Sequence, residues 1–213
     1  MNKPLELVFM FFVSIPIWYI FELFNLLLLN WSYTPEFTQL IRFVSAMLLL
    51  PAAYETYLLI NSIGFFNKFK LTGSYKLPNW LVYLMIILGV ACLILPIIIP
   101  DFTFPLIWLT FFLILDPINY LNKQPSIIGQ LSNKKLKVPL SLILTGFVMG
   151  FLWEFWNYWA IPKWTYDLPF FDFFKVFEMP ILGYFGYAPF MFEFYSIYWF
   201  IKGLFSKKKL FPE

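Results

Sequence analysis

The chain has 213 residues, 61% of them hydrophobic and 24% aromatic, with a mean hydropathy of +0.75. Only 13% are charged, too few to cover a water-facing surface, so a soluble globular domain is excluded and lipid must act as much of the solvent. The net charge of +3 comes with no histidine and one cysteine, Cys92, which excludes Cys/His zinc sites, histidine-based triads, haem ligation by histidine and an internal disulfide.

A helix needs about 20 consecutive apolar residues to cross the hydrocarbon core. Six stretches qualify, at roughly 5–29, 38–65, 79–99, 103–121, 138–160 and 182–204. They predict an all-α, polytopic membrane protein forming one integral domain, because lipid cannot satisfy free backbone amides. The opening run, MNKPLELVFMFFVSIPIWYIFELF, lacks a small-residue cleavage site and its apolar stretch is too long for a signal peptide, so it reads as a retained span. Pro16, Pro51, Pro96 and Pro189 are expected to kink their spans. Cys92 reads as a packing residue of the third span. Asp116 and Asn119, in ILDPINY at the end of the fourth, read as a helix-end cap.

Lysine and arginine placement sets orientation. Lys3, Lys68, Lys70, Lys76, Lys123, Lys134, Lys135, Lys137, Lys202 and Lys207–Lys209 fall on one side if six spans alternate. Only Arg42, Lys163 and Lys175 fall on the other: twelve against three, which predicts both termini in the cytoplasm. The segment 161–181, IPKWTYDLPFFDFFKVFEMPI, is too aromatic for a solvated linker and is expected to lie in the interface or fold back into the protein, bringing Glu178 to the site if it does. No basic, aromatic-interleaved patch points to nucleic acid. The partners expected are membrane lipid and a hydrophobic small molecule, with a homo-oligomer possible for so small a carrier. The location expected is a bacterial or archaeal plasma membrane.

Self-comparison yields an internal repeat. FELFNLLLLNWSY followed by PAAYETY matches WEFWNYWAIPKWTY followed by PFMFEFY. Each copy carries E-x-x-N, W-x-Y and P-x-x-x-E-x-Y. In the first these are Glu22, Asn25, Trp31, Tyr33, Pro51, Glu55 and Tyr57; in the second, Glu154, Asn157, Trp164, Tyr166, Pro189, Glu193 and Tyr195. The repeats are expected over about 5–100 and 101–206. The matched spans, one with five and two with six, keep the same orientation, so a twofold axis along the membrane normal is expected.

Residues i and i+3 share a helix face, so each Glu-Asn pair presents a carboxylate beside an amide. An ionised side chain at mid-span costs roughly 2.5–3.5 kcal/mol on insertion scales. The four glutamates are therefore expected to face one another inside the bundle, hydrogen-bonded to Asn25, Asn157 and the tyrosines. A carboxyl, an amide or water is expected to fill the hydrogen-bond break that each proline opens. Such residues are functional candidates by default. They also fit interhelical glue, and the W-x-Y aromatics fit an interfacial belt.

In architecture and in Trp31, Tyr33, Pro51, Glu55, Trp164, Tyr166, Pro189 and Glu193, the chain resembles the lycopene cyclase domain, a family of small membrane carotenoid cyclases built from two homologous three-span units. The family's adjacent acid pair is not present. The resemblance implies protonation of a polyene double bond by a buried general acid, Glu55 or Glu193, with Glu22 and Glu154 as further catalytic acids. Aromatic faces of Trp153, Trp156, Tyr158 and Trp164 would stabilise the cation. The cofactor is unknown: the resemblance allows a reduced flavin, but no glycine-rich nucleotide fingerprint occurs. No metal is assigned. A proton- or cation-coupled carrier and a non-catalytic membrane partner stay open beside the cyclase-like isomerase.

Overall fold

A computed structural model describes residues 3–72, 77–170 and 172–205. Lys76 and Lys207–Lys209, counted above for orientation, lie outside the described residues. In chain order the elements are α1 (Lys3–Leu28), β1 (Trp31–Thr34), α2 (Gln39–Ile63), α3 (Asn79–Ile98), α4 (Pro100–Thr103), α5 (Ile107–Leu121), α6 (Ile127–Ser132), α7 (Lys137–Trp159), β2 (Lys163–Tyr166), β3 (Lys175–Val176), β4 (Met179–Pro180) and α8 (Tyr187–Phe205). Short 3₁₀ turns join α4 to α5 and β4 to α8.

Five helical segments among the described residues are long and apolar enough to cross a membrane: Pro4–Leu28, Gln39–Ile63, Asn79–Ile98, Pro100–Leu121 and Lys137–Trp159. The chain is thus a multi-pass integral membrane protein. The sixth expected span, α8, has 19 residues but is less apolar, since it carries Glu193, Lys202 and three tyrosines. Its surroundings account for this. Residues from Phe190 to Tyr198 are buried on nearly every face, against α5 and α7, so protein rather than lipid is the solvent of α8.

Helix contacts are fixed by small groups. In α7, Gly146 and Gly150 form a G-x-x-x-G step. A Cβ on Gly146 would stand 2.5 Å from the Tyr187 carbonyl oxygen, and one on Gly150 would stand 2.3 Å from the Tyr187 ring. The start of α8 therefore lies directly on the α7 backbone. Between α1 and α2, the buried Ser14 hydroxyl accepts from Leu50 N–H at 2.9 Å and donates to the Ala46 carbonyl. It is inserted into the α2 ladder one turn before Pro51. The bond it interrupts is that of Leu50 with Ala46, whereas the carbonyl that Pro51 leaves without its helical donor is that of Met47. Pro16, Pro51 and Pro96 are interior to their helices as expected. Pro189 instead falls in the first turn of α8, where a missing N–H breaks no helical bond.

Two contacts fix which ends lie together. β1 and β2 pair antiparallel, with Trp31 opposite Tyr166 and Tyr33 opposite Trp164, so the C-terminal ends of α1 and α7 meet at one end of the bundle. At the other end, Glu6 near the start of α1 accepts from Tyr198 and Lys202 of α8. There too Lys70 bridges Lys135, and Leu71 N–H donates to Lys134 O at 3.1 Å. The start of α1, the end of α8 and the α2–α3 and α6–α7 connections thus share one end.

Candidate functional site

Each E-x-x-N pair ends a long helix and receives the W-x-Y strand that follows it. In the first copy, the Asn25 side chain donates to Trp31 O at 2.7 Å and accepts from Trp31 N–H at 3.1 Å. In the second, Asn157 donates to Trp164 O at 2.8 Å and accepts from Trp164 N–H at 2.8 Å. Each amide imitates a strand partner and turns the chain back into the β1–β2 ribbon. The acids complete the pattern. Glu22 accepts from the Trp31 indole at 3.4 Å and from the Tyr33 hydroxyl. Glu154 accepts from the Trp164 indole at 3.3 Å and from the Tyr166 hydroxyl at 2.6 Å.

The two copies differ in what else meets the carboxylate. Glu22 lies 3.6 Å from Arg42, which is also bound to Glu36 at 2.7 Å. Glu154 is fully buried and takes a third donor, the Tyr187 hydroxyl at 2.7 Å; among the described residues it pairs with no cation and its second oxygen has no partner. Both ribbon phenols lie outside the spans. Burial, and then the neighbouring Glu22 carboxylate, push the Tyr33 hydroxyl well above its ordinary pKa. Burial first, then Tyr187 and Glu154, do the same for Tyr166. Both phenols therefore remain donors across the neutral range.

A cavity of about 610 Å³ lies beneath the ribbon, walled by Trp18, Trp31, Trp108, Trp153, Trp156 and Trp164 with Tyr33, Tyr166 and Phe190. Trp108 supports its floor, stacked on Phe21 at 5.1 Å and edge-on to Phe190 at 5.2 Å. Leu168, Phe170, Met179 and Pro180 roof it, so the 161–181 segment folds back over the bundle. Leu48 and Ala52, exposed halfway along α2, lie on its edge, so the mouth opens on an apolar helix face. The volume is that of a site for a drug-sized or lipid-sized molecule.

Several expectations require correction. The four acids do not face one another: Glu22, Glu154 and Glu193 are each met by their own donors. Glu55 is exposed, because the buried face of α2 runs through Ala46, Leu50, Ala53, Tyr54 and Tyr57, and Glu55 falls off that stripe. Its counterpart Glu193 is fully buried because α8 is covered all round. It accepts Phe111 N–H of α5 at 2.9 Å, its second oxygen has no partner among the described residues, and it lies outside the cavity wall. The matched tyrosines of these two motifs do meet: Tyr57 and Tyr195 pack edge-on at 5.7 Å. Tyr158 is exposed beneath Lys163 and does not line the cavity, since it points away from the Glu154–Asn157 face. Trp153 and Trp156 do line it. Glu178 pairs with Lys163 instead of joining the site.

Asp116 is a cap, but of the next helix: it accepts Ile127 N–H at 2.7 Å and Ile128 N–H at 2.9 Å at the start of α6. Asn119 donates to Ser196 O of α8 at 2.9 Å. Cys92 is buried, in keeping with a packing role. Sequence reasoning missed Trp18, Asn30, Trp108 and Tyr187. The G-x-x-x-G step of α7 was the one local signal that a neighbouring residue packs closely there. No protein-family model matches the chain, and no characterised protein or solved structure is significantly similar to it.

Proposed function

We propose that this membrane protein takes a polyene or isoprenoid lipid into the aromatic cavity and isomerises it by proton-initiated cyclisation. The observation that carries this reading is the cavity wall itself: six indoles and three phenols around about 610 Å³, with each phenol donating to a glutamate behind it. Such a wall suits an apolar, extended, cation-forming ligand and offers little to a hydrated ion.

In this reading protonated Glu154 is the acid: Tyr166 gives its hydroxyl proton to the substrate and takes one from Glu154, so that the hydrogen bond between them reverses. The proton adds to one carbon of a terminal double bond. The adjacent double bond attacks the resulting cation and closes a ring, and a neighbouring C–H returns a proton through Tyr166 to Glu154. Atoms and electrons balance without an oxidant or reductant, and the product is an isomer of the substrate. Glu22, held by Arg42, serves the matching position as a structural anchor. The lateral mouth admits substrate from the bilayer, so no steering charge is needed.

The same reading takes α8 as a sixth span, both termini as cytoplasmic, the membrane as a bacterial or archaeal plasma membrane, and the α1–α2 and α7–α8 pairs as copies of one ancestral unit. Support for the duplication comes from the matched Asn-to-Trp and Glu-to-Trp/Tyr hydrogen bonds. These matches join α1 with α7, and the P-x-x-x-E-x-Y motif joins α2 with α8. The resemblance to the lycopene cyclase domain points to the same chemistry.

The test is expression in polyene-producing cells. The intact chain is expected to shift the polyene profile towards cyclised isomers, and Glu154→Gln is expected to abolish the shift while the protein still accumulates in the membrane. An unchanged profile with the intact chain overturns the reaction.

A further inference from the structure

Beside the large cavity, between α1 and the start of α2, lies a second one of about 210 Å³. Trp18, Tyr33, Phe37 and Ser45 line both, so the two adjoin across one layer of side chains. Their chemistry differs. No charged residue lines the larger cavity, whereas Glu22 and Arg42 line the smaller, together with Gln39. These groups are within reach of a ligand: the Arg42 and Glu22 side chains are 28% and 18% exposed, and Gln39 and Ser45 are exposed. They also have bonding capacity to spare. Glu22 Oε1 takes the Trp31 and Tyr33 donors, but Oε2 faces Arg42 Nη1 at 3.6 Å, too far for a hydrogen bond. Arg42 spends Nη2 on Glu36 and Nε on the Phe37 carbonyl, which leaves Nη1 without a hydrogen bond among the described residues. A hydroxyl can accept from Nη1 and donate to Oε2 at once, as water does across such a gap.

We infer that the ligand of the larger cavity is an amphiphile: its chain lies among the indoles, and its head, an uncharged group with adjacent hydroxyls such as glycerol or a sugar, sits between Glu22 and Arg42. This rests on the reading of the cavity as a lipid site and names the class of lipid. Charge selects the head. Arg42 is the one cation beside two carboxylates, Glu22 and Glu36, so the pocket keeps a net negative charge and repels a phosphate or carboxylate. Position selects the amphiphile. Arg42, Ser45, Leu49 and Ala52 share one face of α2, and along it the lining passes from a charge to an apolar wall over about 15 Å. The charged end lies in the first turns of α2, at the end of a span, where a lipid places its head. The rings of Trp18, Tyr33 and Phe37 present negative faces on which the C–H edges of a polyol pack.

The test compares three probes with one polyene chain: the glucoside of all-trans-retinol, its phosphate, and the hydrocarbon that lacks the hydroxyl. Each is titrated into the full-length protein in phosphatidylcholine nanodiscs. Energy transfer from tryptophan to the polyene reads binding, taken as its saturable part against the mole fraction of probe in the bilayer. The glucoside is expected to bind roughly tenfold more tightly than either other probe, the worth of one or two hydrogen bonds. Arg42→Met is expected to erase that preference while hydrocarbon binding holds. If that variant does not fold, Gln39→Leu, which alters an exposed side chain, is expected to reduce the preference to about threefold. Equal affinities for glucoside and hydrocarbon, tightest binding of the phosphate, or a preference unchanged in the variants overturns the inference and leaves the lipid site intact. Saturable binding of none of the three overturns the lipid site and this inference with it.

Discussion

Asn25 and Asn157 each use both ends of one amide to hold the backbone of a tryptophan. Removing either amide strands a backbone donor and an acceptor, so Asn157→Ala is expected to cost about 1–3 kcal/mol, read as a lowered Tm in detergent, with Asn157→Asp intermediate because it keeps only the acceptor. Ser14→Ala acts on the α2 ladder by the same logic: Leu50 N–H and Ala46 O lose the hydroxyl between them, and a loss of similar size is expected. The phenols give a pH dependence. Tyr33 and Tyr166 have folded-state pKa values raised above the unfolded value of about 10, so above that pH the unfolded chain binds fewer protons than the folded one. Their contribution to stability is complete below about pH 10 and is lost as pH rises towards the folded values. Melting of the intact protein from pH 7 to 11 is expected to show a fall above pH 10, and the Tyr33→Phe/Tyr166→Phe double variant a shallower one.

At the scale of elements, the decisive contact is the seat of α8 on α7. Gly146 and Gly150 leave no room for a side chain, and the Tyr187 ring fills the space they leave and reaches Glu154. Gly150→Val is expected to push α8 away, to lower Tm by overpacking worth about 1–3 kcal/mol, and to abolish any activity that depends on Glu154. Gly186→Ala is the control: an added Cβ there meets nothing within 4 Å, and Tm should be unchanged. The β1–β2 ribbon is a second such contact. It joins the ends of α1 and α7 and roofs the cavity with the same aromatic residues that anchor the two acids.

At the scale of the whole molecule, the ribbon and the Lys70–Lys135 bridge stand at opposite ends. In a Cys92→Ala background, Ser32→Cys and Lys135→Cys are expected to react with an impermeant thiol reagent from opposite faces of sealed vesicles, with Lys135→Cys facing the cytoplasm. Labelling of both from one face would refute the crossing pattern. The central place of α8 explains how it carries a glutamate, a lysine and three tyrosines: it is packed by α5 and α7, and its glutamate is held by an α5 amide.

Much of this architecture is legible in the chain alone, because it depends on local composition. Twenty-residue apolar runs must become helices in lipid, and the spacing of Glu22 with Asn25 and of Glu154 with Asn157 fixes which side chains share a helix face. The repeat of W-x-Y after each pair marks the segments that become the ribbon. Burial of individual acids is not local. Glu55 and Glu193 occupy the same motif, yet one is exposed and the other sealed, because α2 is peripheral and α8 central. The partners of Glu22 and Glu154 differ for the same reason: Arg42 and Tyr187 are brought to them by helices elsewhere in the chain. Motif chemistry therefore follows from neighbours in sequence, whereas which acid faces a cation, a phenol, lipid or a cavity follows from the order in which the helices pack.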